Sequence, residues 1–261
     1  MPEQAAALDP KAIRLHRRGA GPTIVLLHCL GVDRHLWDIA AADLDRDFTL
    51  LTYDFPGHGE APLPPHAYGV EQLSEQLAAV LRREGIARSH VVGISLGGLV
   101  AQHFAARDPA MVDRLVLIDT TPRYVDDMRK MWVERAATAR SKGVPALIDG
   151  LLQIWFTPEF VAKNPPAVRY VRDCFARTSG EGYALACEAL GAADLRPLVQ
   201  QIKATTLVVC GENDVPPFLA AARWLTENLP RARLTWLSPA RHASVLEQPE
   251  AFRRALREFL A

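Results

Sequence analysis

Gly93-Ile94-Ser95-Leu96-Gly97 sits between a β-branched run, His90-Val91-Val92, and a helix-compatible run, Leu99 to Ala106. A G-x-S-x-G pattern between strand and helix is the setting in which a serine hydroxyl is lifted onto a sharp turn as a nucleophile. Both glycines have a reason to be there. The bend forces unusual backbone angles, and a side chain at either flank would meet the neighbouring strand or helix. The helix that follows aims its N-terminal N–H groups and partial positive charge at whatever the serine attacks.

A serine hydroxyl needs a base to take its proton, and histidine, with a pKa near ~6.5, suits neutral pH. His242, in Leu237-Ser238-Pro239-Ala240-Arg241-His242-Ala243, follows the last strand-like run, where a base must lie to reach Ser95. An acid must then fix the imidazole tautomer. Asp214, in Cys210-Gly211-Glu212-Asn213-Asp214, gives the chain order Ser, Asp, His. Asp119, just past an earlier strand-like run, satisfies the same order and stays open as a rival to Asp214, which is taken as the acid. The oxyanion of acyl transfer needs two convergent N–H donors. The N–H of Leu96 is one candidate. The other lies in His28-Cys29-Leu30-Gly31, with Leu30 as the candidate. His28 reads as a loop organiser, and Asp54, ahead of Phe55-Pro56-Gly57-His58-Gly59, as a partner for turn N–H groups.

These residues need a scaffold that brings distant loops together. Apolar runs at Thr23–His28, Phe48–Tyr53, Val91-Val92, Leu115–Ile118, Thr206–Cys210 and Leu234–Leu237 read as strands, with an edge strand over Ala12–Arg17. Helical patterns at Val70–Arg83, Leu96–Arg107, Phe218–Asn228 and Glu250–Leu260 alternate with them. Alternation of this kind implies right-handed crossovers and an α/β fold, a mostly parallel twisted sheet flanked by helices. Residues 122–195 break the alternation with helical patterns alone. They are expected to form a cap over a core of residues 1–121 and 196–261, roofing the C-terminal strand ends where such sheets bind ligands. Most cap aromatics hold the cap together, and Trp132 and Trp155 are the candidates for facing a substrate.

Composition narrows the function classes. The chain has 261 residues, with 30 Lys plus Arg balanced by 30 Asp plus Glu, and no basic stripe for nucleic acid. No apolar run approaches the ~20 residues of a membrane span. The start, Met1-Pro2-Glu3-Gln4, lacks a basic, then apolar, leader, so a cytoplasmic protein is expected. Cys29, Cys174, Cys187 and Cys210 form no C-x-x-C, and the eight histidines form no metal motif. No metal or cofactor is expected, and the partner is a small-molecule substrate. Oligomeric state is not legible.

From His28-Cys29-Leu30-Gly31 through the Ser95 pattern to Asp214 and His242, the chain resembles the α/β-hydrolase superfamily. Within it, the chain is similar to the 3-oxoadipate enol-lactonases of aromatic catabolism, on His28–Asp33 leading to Trp37-Asp38, on Trp155-Phe156-Thr157-Pro158-Glu159-Phe160, on Glu181-Gly182-Tyr183 with Ala192–Leu195, and on Leu246–Phe252. It departs from them in Pro56 before Gly57-His58-Gly59, in Ala243-Ser244 after His242, and in the short acid loop Val215–Phe218. The resemblance implies an acyl-enzyme on Ser95 and hydrolysis of a small lactone or ester. Other readings are a carboxylesterase or carbon–carbon bond hydrolase of the same fold, or a ligand receptor that kept it. An enol-lactone with a free carboxylate needs a cationic cap lining, for which Arg34, Arg123, Arg135 and Arg140 are available.

Overall fold

Runs of branched aliphatic residues that are apolar on both faces must be covered on both, so they stack under two helical layers. The computed structural model, which describes residues 7–261, shows a seven-stranded sheet; the opening Met1-Pro2-Glu3-Gln4 lies outside the described residues. The chain runs β1 (His16–Arg18), β2 (Thr23–Leu27), α1 (Leu36–Ala40), β3 (Thr49–Thr52), α2 (Val70–Arg83), β4 (Ser89–Ile94), α3 (Leu96–Arg107) and β5 (Val112–Ile118). Five helices follow: α4 (Asp126–Lys142), α5 (Ile148–Trp155), α6 (Pro158–Ala162), α7 (Pro166–Arg177) and α8 (Gly180–Ala192). The rest is α9 (Arg196–Val199), β6 (Thr205–Gly211), α10 (Pro216–Asn228), β7 (Ala232–Leu237), α11 (Ser244–Glu247) and α12 (Pro249–Leu260).

The sheet order is β1-β3-β2-β4-β5-β6-β7, and β1 alone runs antiparallel to its neighbour. Strand order reverses between β2 and β4, which opens a crevice at their C-terminal ends. Leu30 leaves one side of that crevice and Ser95 the other. The segment α4–α8 roofs it. Its ends return side by side, with Leu195 N–H donating to Pro122 O at 2.8 Å and Arg123 bridged to Asp194. Among the described residues, no helix is long and apolar enough to cross a membrane.

One expected boundary shifts. The edge strand read over Ala12–Arg17 is shortened to His16–Arg18, because Pro10–Ala12 form a 3-10 turn. Asp9 caps that turn through Lys11 N–H at 2.8 Å, and Pro10 has no N–H to lose at its first position.

The serine turn is packed backbone against backbone. A Cβ on Gly93 would stand 2.2 Å from Gly97 O, and one on Gly97 would stand 2.3 Å from Leu27 O. Both obstacles are backbone, which cannot swing aside. Gly97→Ala should therefore destabilise the protein by about 1–3 kcal/mol through forced backbone shifts. Urea unfolding measures it, and a midpoint equal to the parent's would mean the turn can relax.

Candidate active site

Ser95 has φ +51° and ψ −109°, a conformation a non-glycine residue holds only when its surroundings impose it. They do so from both neighbouring elements. Its N–H donates to Ile118 O of β5 at 2.9 Å. Its carbonyl accepts from Leu99 N–H of α3 at 3.1 Å and from the Thr120 hydroxyl at 2.8 Å. The hydroxyl is left to face the crevice.

His242 reaches it from the loop after β7, with Nε2 3.1 Å from Ser95 Oγ. On the far side, Nδ1 lies 2.9 Å from Asp214 Oδ2. With Nδ1–H donating to the carboxylate, Nε2 is the acceptor for the serine proton. The loops carrying Asp214 and His242 are tied together: Glu212 N–H donates to Leu237 O and Asn213 N–H to Ala240 O, each at 2.9 Å. Burial on its own would lower the imidazole pKa, but the charge and hydrogen bond of Asp214 outweigh it, so His242 sits above its usual 6.5.

Asp119 takes a different place. Its Oδ1 accepts from Gly211 N–H at 2.9 Å, and its Oδ2 from Ser244 N–H at 3.1 Å and from the Ser244 hydroxyl at 2.6 Å. It staples the acid loop to the base loop, while Asp214 contacts the imidazole. Burial, with the Asp214 charge close by, pushes the Asp119 carboxyl up. Asp119, Cys210 and Asp214 offer ligand atoms within 4.8 Å of one another. All four carboxylate oxygens already have partners, Val215 N–H on Asp214 Oδ1 completing the set at 2.7 Å, so the cluster reads as a hydrogen-bonded staple.

Leu30 lines the same cavity as Ser95, and Leu96 starts α3 directly behind it. Among the described residues, no loop hydrogen bond occupies the N–H of either. His28 is spent on the scaffold: Nδ1–H donates to Cys29 O at 2.8 Å and Nε2 accepts from Phe55 N–H at 2.9 Å. Asp54 likewise accepts from Arg34 N–H at 2.7 Å and Glu60 N–H at 2.9 Å.

Above Ser95 and His242 lies a cavity of about 260 Å³ with an almost wholly apolar wall. Trp132 and Trp155 both stand on that wall. The periodicity of the sequence does not point to Phe218, whose ring packs 4.1 Å from the imidazole, centroid to centroid. Its signal was the Pro216-Pro217 start of α10, which fixes where that helix begins and hence what its first turn faces. Of the four arginines available to the cap, three are paired. Arg34 holds Asp54 and Glu60, Arg123 holds Asp126 and Asp194, and Arg140 holds Glu181 and Glu188. Arg135 lines the cavity, its guanidinium 4.9 Å over the Trp132 ring, and among the described residues no carboxylate pairs with it.

Residues 24–255 match the family pattern described as "Alpha/beta hydrolase family". The chain belongs to the α/β hydrolase family. This hydrolase is 31% identical over 90% of its length to 3-oxoadipate enol-lactonase 2 of Acinetobacter baylyi, covering 87% of that protein. It is 34% identical to the pimeloyl-[acyl-carrier protein] methyl ester esterase of Chromobacterium violaceum, over 93% of this chain and 95% of the other. The crystal structure of an enol-lactonase from Burkholderia xenovorans LB400 superposes with a TM-score of 0.90, at 36% identity, over 95% of this chain and 96% of the other. The hydrolase thus stands among lactone and ester hydrolases.

The two acids are separable by titration. Removing the Asp214 charge leaves burial to favour the neutral imidazole, so Asp214→Asn should lower the His242 pKa. Asp119→Asn should lower it less, because Asp119 acts on the ring only through space. NMR titration of the imidazole resonances measures both, and a larger shift in Asp119→Asn would reverse the assignment.

Proposed function

We propose that this α/β hydrolase opens a small enol-lactone bearing a free carboxylate, by way of an acyl-enzyme on Ser95. The observation that carries the reading is the pairing of two features in one cavity. Ser95 and His242 lie on its floor, with Asp214 behind the imidazole, and Arg135 supplies a cation in an otherwise apolar wall. A lactone needs the first, and its carboxylate needs the second.

In this scheme His242 Nε2 takes the proton of Ser95 Oγ as the oxygen attacks the lactone carbonyl carbon. The N–H groups of Leu30 and Leu96 hold the developing oxyanion, an interaction typically worth about 3–4 kcal/mol per donor. Collapse breaks the ring C–O bond. The ring oxygen leaves as an enol with the proton from His242 and tautomerises to a ketone on the same molecule. Water then enters, gives a proton to His242, and attacks the acyl carbon; Ser95 recovers its proton and the acid departs. The enol-lactonases among its relatives support this choice of substrate, with Trp132 and Trp155 as the ring-facing walls.

A methyl ester of a longer chain with an anionic end is the second reading, favoured by the apolar run of the roughly 260 Å³ cavity and by the methyl ester esterase relative. Turnover of 3-oxoadipate enol-lactone set against that of a monomethyl ester of a longer dicarboxylic acid separates the two readings, the faster substrate deciding. Ser95→Ala should reduce turnover of 3-oxoadipate enol-lactone by several orders of magnitude. Arg135→Gln should raise its KM about 10- to 100-fold, the loss of one charge-assisted bond, while the KM of neutral p-nitrophenyl acetate stays within about twofold. Full turnover in Ser95→Ala sinks the chemistry. Equal effects of Arg135→Gln on both substrates sink the carboxylate anchor.

A further inference from the structure

Glu247 is a buried carboxylate that the scheme above does not use. Its Oε1 accepts from Thr157 N–H at 2.9 Å and from the Thr157 hydroxyl, and its Oε2 from Arg241 N–H at 2.8 Å. The Arg241 guanidinium turns away to Gln153 O, so among the described residues the carboxylate is met by N–H and O–H donors. Thr157 lies in the roof, between α5 and α6, and Arg241 directly precedes His242. A second tie runs beside it: Ala243 N–H donates to Trp155 O at 2.9 Å. On the core side, Ser244 N–H is held by Asp119. The backbone N–H groups at 241, 243 and 244 are therefore all fixed around His242. One of these ties runs directly to the roof, a second reaches it through Glu247, and the third stays in the core.

We propose that Glu247 is a positioning residue, strapping the roof segment 155–157 to the loop that carries His242 so that the roof helps aim the imidazole at Ser95. The proposal rests on His242 being the base. A carboxylate suits the task because it accepts from both sides at once without rotating; an amide of the same shape must turn its NH2 toward either Thr157 N–H or Arg241 N–H, donor against donor. The segment it grips also carries Trp155, whose ring lies 6.5 Å from the imidazole and walls the cavity. A roof held this way sets the geometry of proton transfer as well as the shape of the site.

The test is steady-state hydrolysis of p-nitrophenyl acetate across pH by Glu247→Gln, Thr157→Val and Thr157→Ser. The groups that bear on the imidazole are Asp214 from the acid loop, Asp119 from the end of β5 and Arg135 from α4. Because Asp214 holds the imidazole pKa up, a loosened loop moves the acidic limb of kcat/KM to lower pH. The expected result is a kcat lowered about 10- to 100-fold in Glu247→Gln and Thr157→Val, with KM within about twofold and the limb shifted down, and recovery in Thr157→Ser. Thr157→Val decides if Glu247→Gln does not fold. A KM rise with kcat retained, or a kcat loss with an unmoved limb, overturns the strap. Full turnover in His242→Ala would overturn the underlying reading instead, whereas an inactive His242→Ala beside a fully active Thr157→Val overturns the strap alone.

Discussion

Ser95 is held at a backbone conformation it would not choose, and the neighbouring structure is arranged to keep it there. A residue at φ +51° relaxes unless its N–H and carbonyl are both engaged by elements that cannot move. Here β5 takes the N–H, while α3 and Thr120 take the carbonyl. Gly93 and Gly97 let strand, turn and helix backbones come within contact of one another. The strain, of order 1–3 kcal/mol, is borne by a fully buried central strand. What it secures is a hydroxyl that stands clear of the sheet at the point where strand order reverses, with the loops after β2, β6 and β7 converging on it.

Around the imidazole stand three buried carboxylates with three kinds of partner. Asp214 faces the ring, Asp119 faces N–H and O–H groups of both neighbouring loops, and Glu247 faces one core N–H and two roof donors. Ionised groups out of water persist only when such partners are complete. The division of labour follows from where each sits. Asp214 ends a loop that overhangs the ring, so its charge favours the imidazolium over the neutral imidazole. Asp119, deeper and flanked by Asp214, gains from fixing loops and has its ionisation opposed by that neighbour.

Much of this was written in local pattern. The helices at Val70–Arg83 and Leu96–Arg107 have the boundaries their periodicity predicts, since Gly69 and the Ser95 turn begin them and the apolar spacing runs to their ends. Ser95, Asp214 and His242 were legible because each follows a strand, and strands in such a sheet deliver their loops to one edge. Asp119 stayed a rival to Asp214 at that level, because both follow neighbouring strands and only distance separates them. Nor could the sequence pick Arg135 from four arginines: whether a cation is paired depends on carboxylates such as Asp54, Glu60, Asp194 and Glu181, 20 to 71 positions away in the chain or closer only in space. Glu247 was visible as part of a motif, yet its partner, Thr157, lies 90 residues earlier.

An Arg135 guanidinium with no carboxylate on it among the described residues suits an apolar cavity wall. In water a carboxylate loses little by having no partner, but in a low-dielectric pocket the same charge is costly without one and strongly attracted to a single cation. An apolar wall therefore sharpens what one arginine can do: anions are drawn to a fixed point, and neutral compounds gain nothing from it. The Trp132 ring under the guanidinium restrains it further, holding the cation by its face instead of by a competing acid. A carboxylate on Arg135 and a carbonyl over Ser95 would then fix both ends of a small substrate in the cavity. The distance between those two points, set by α4 against the serine turn, is the ruler by which such a site would choose its substrate.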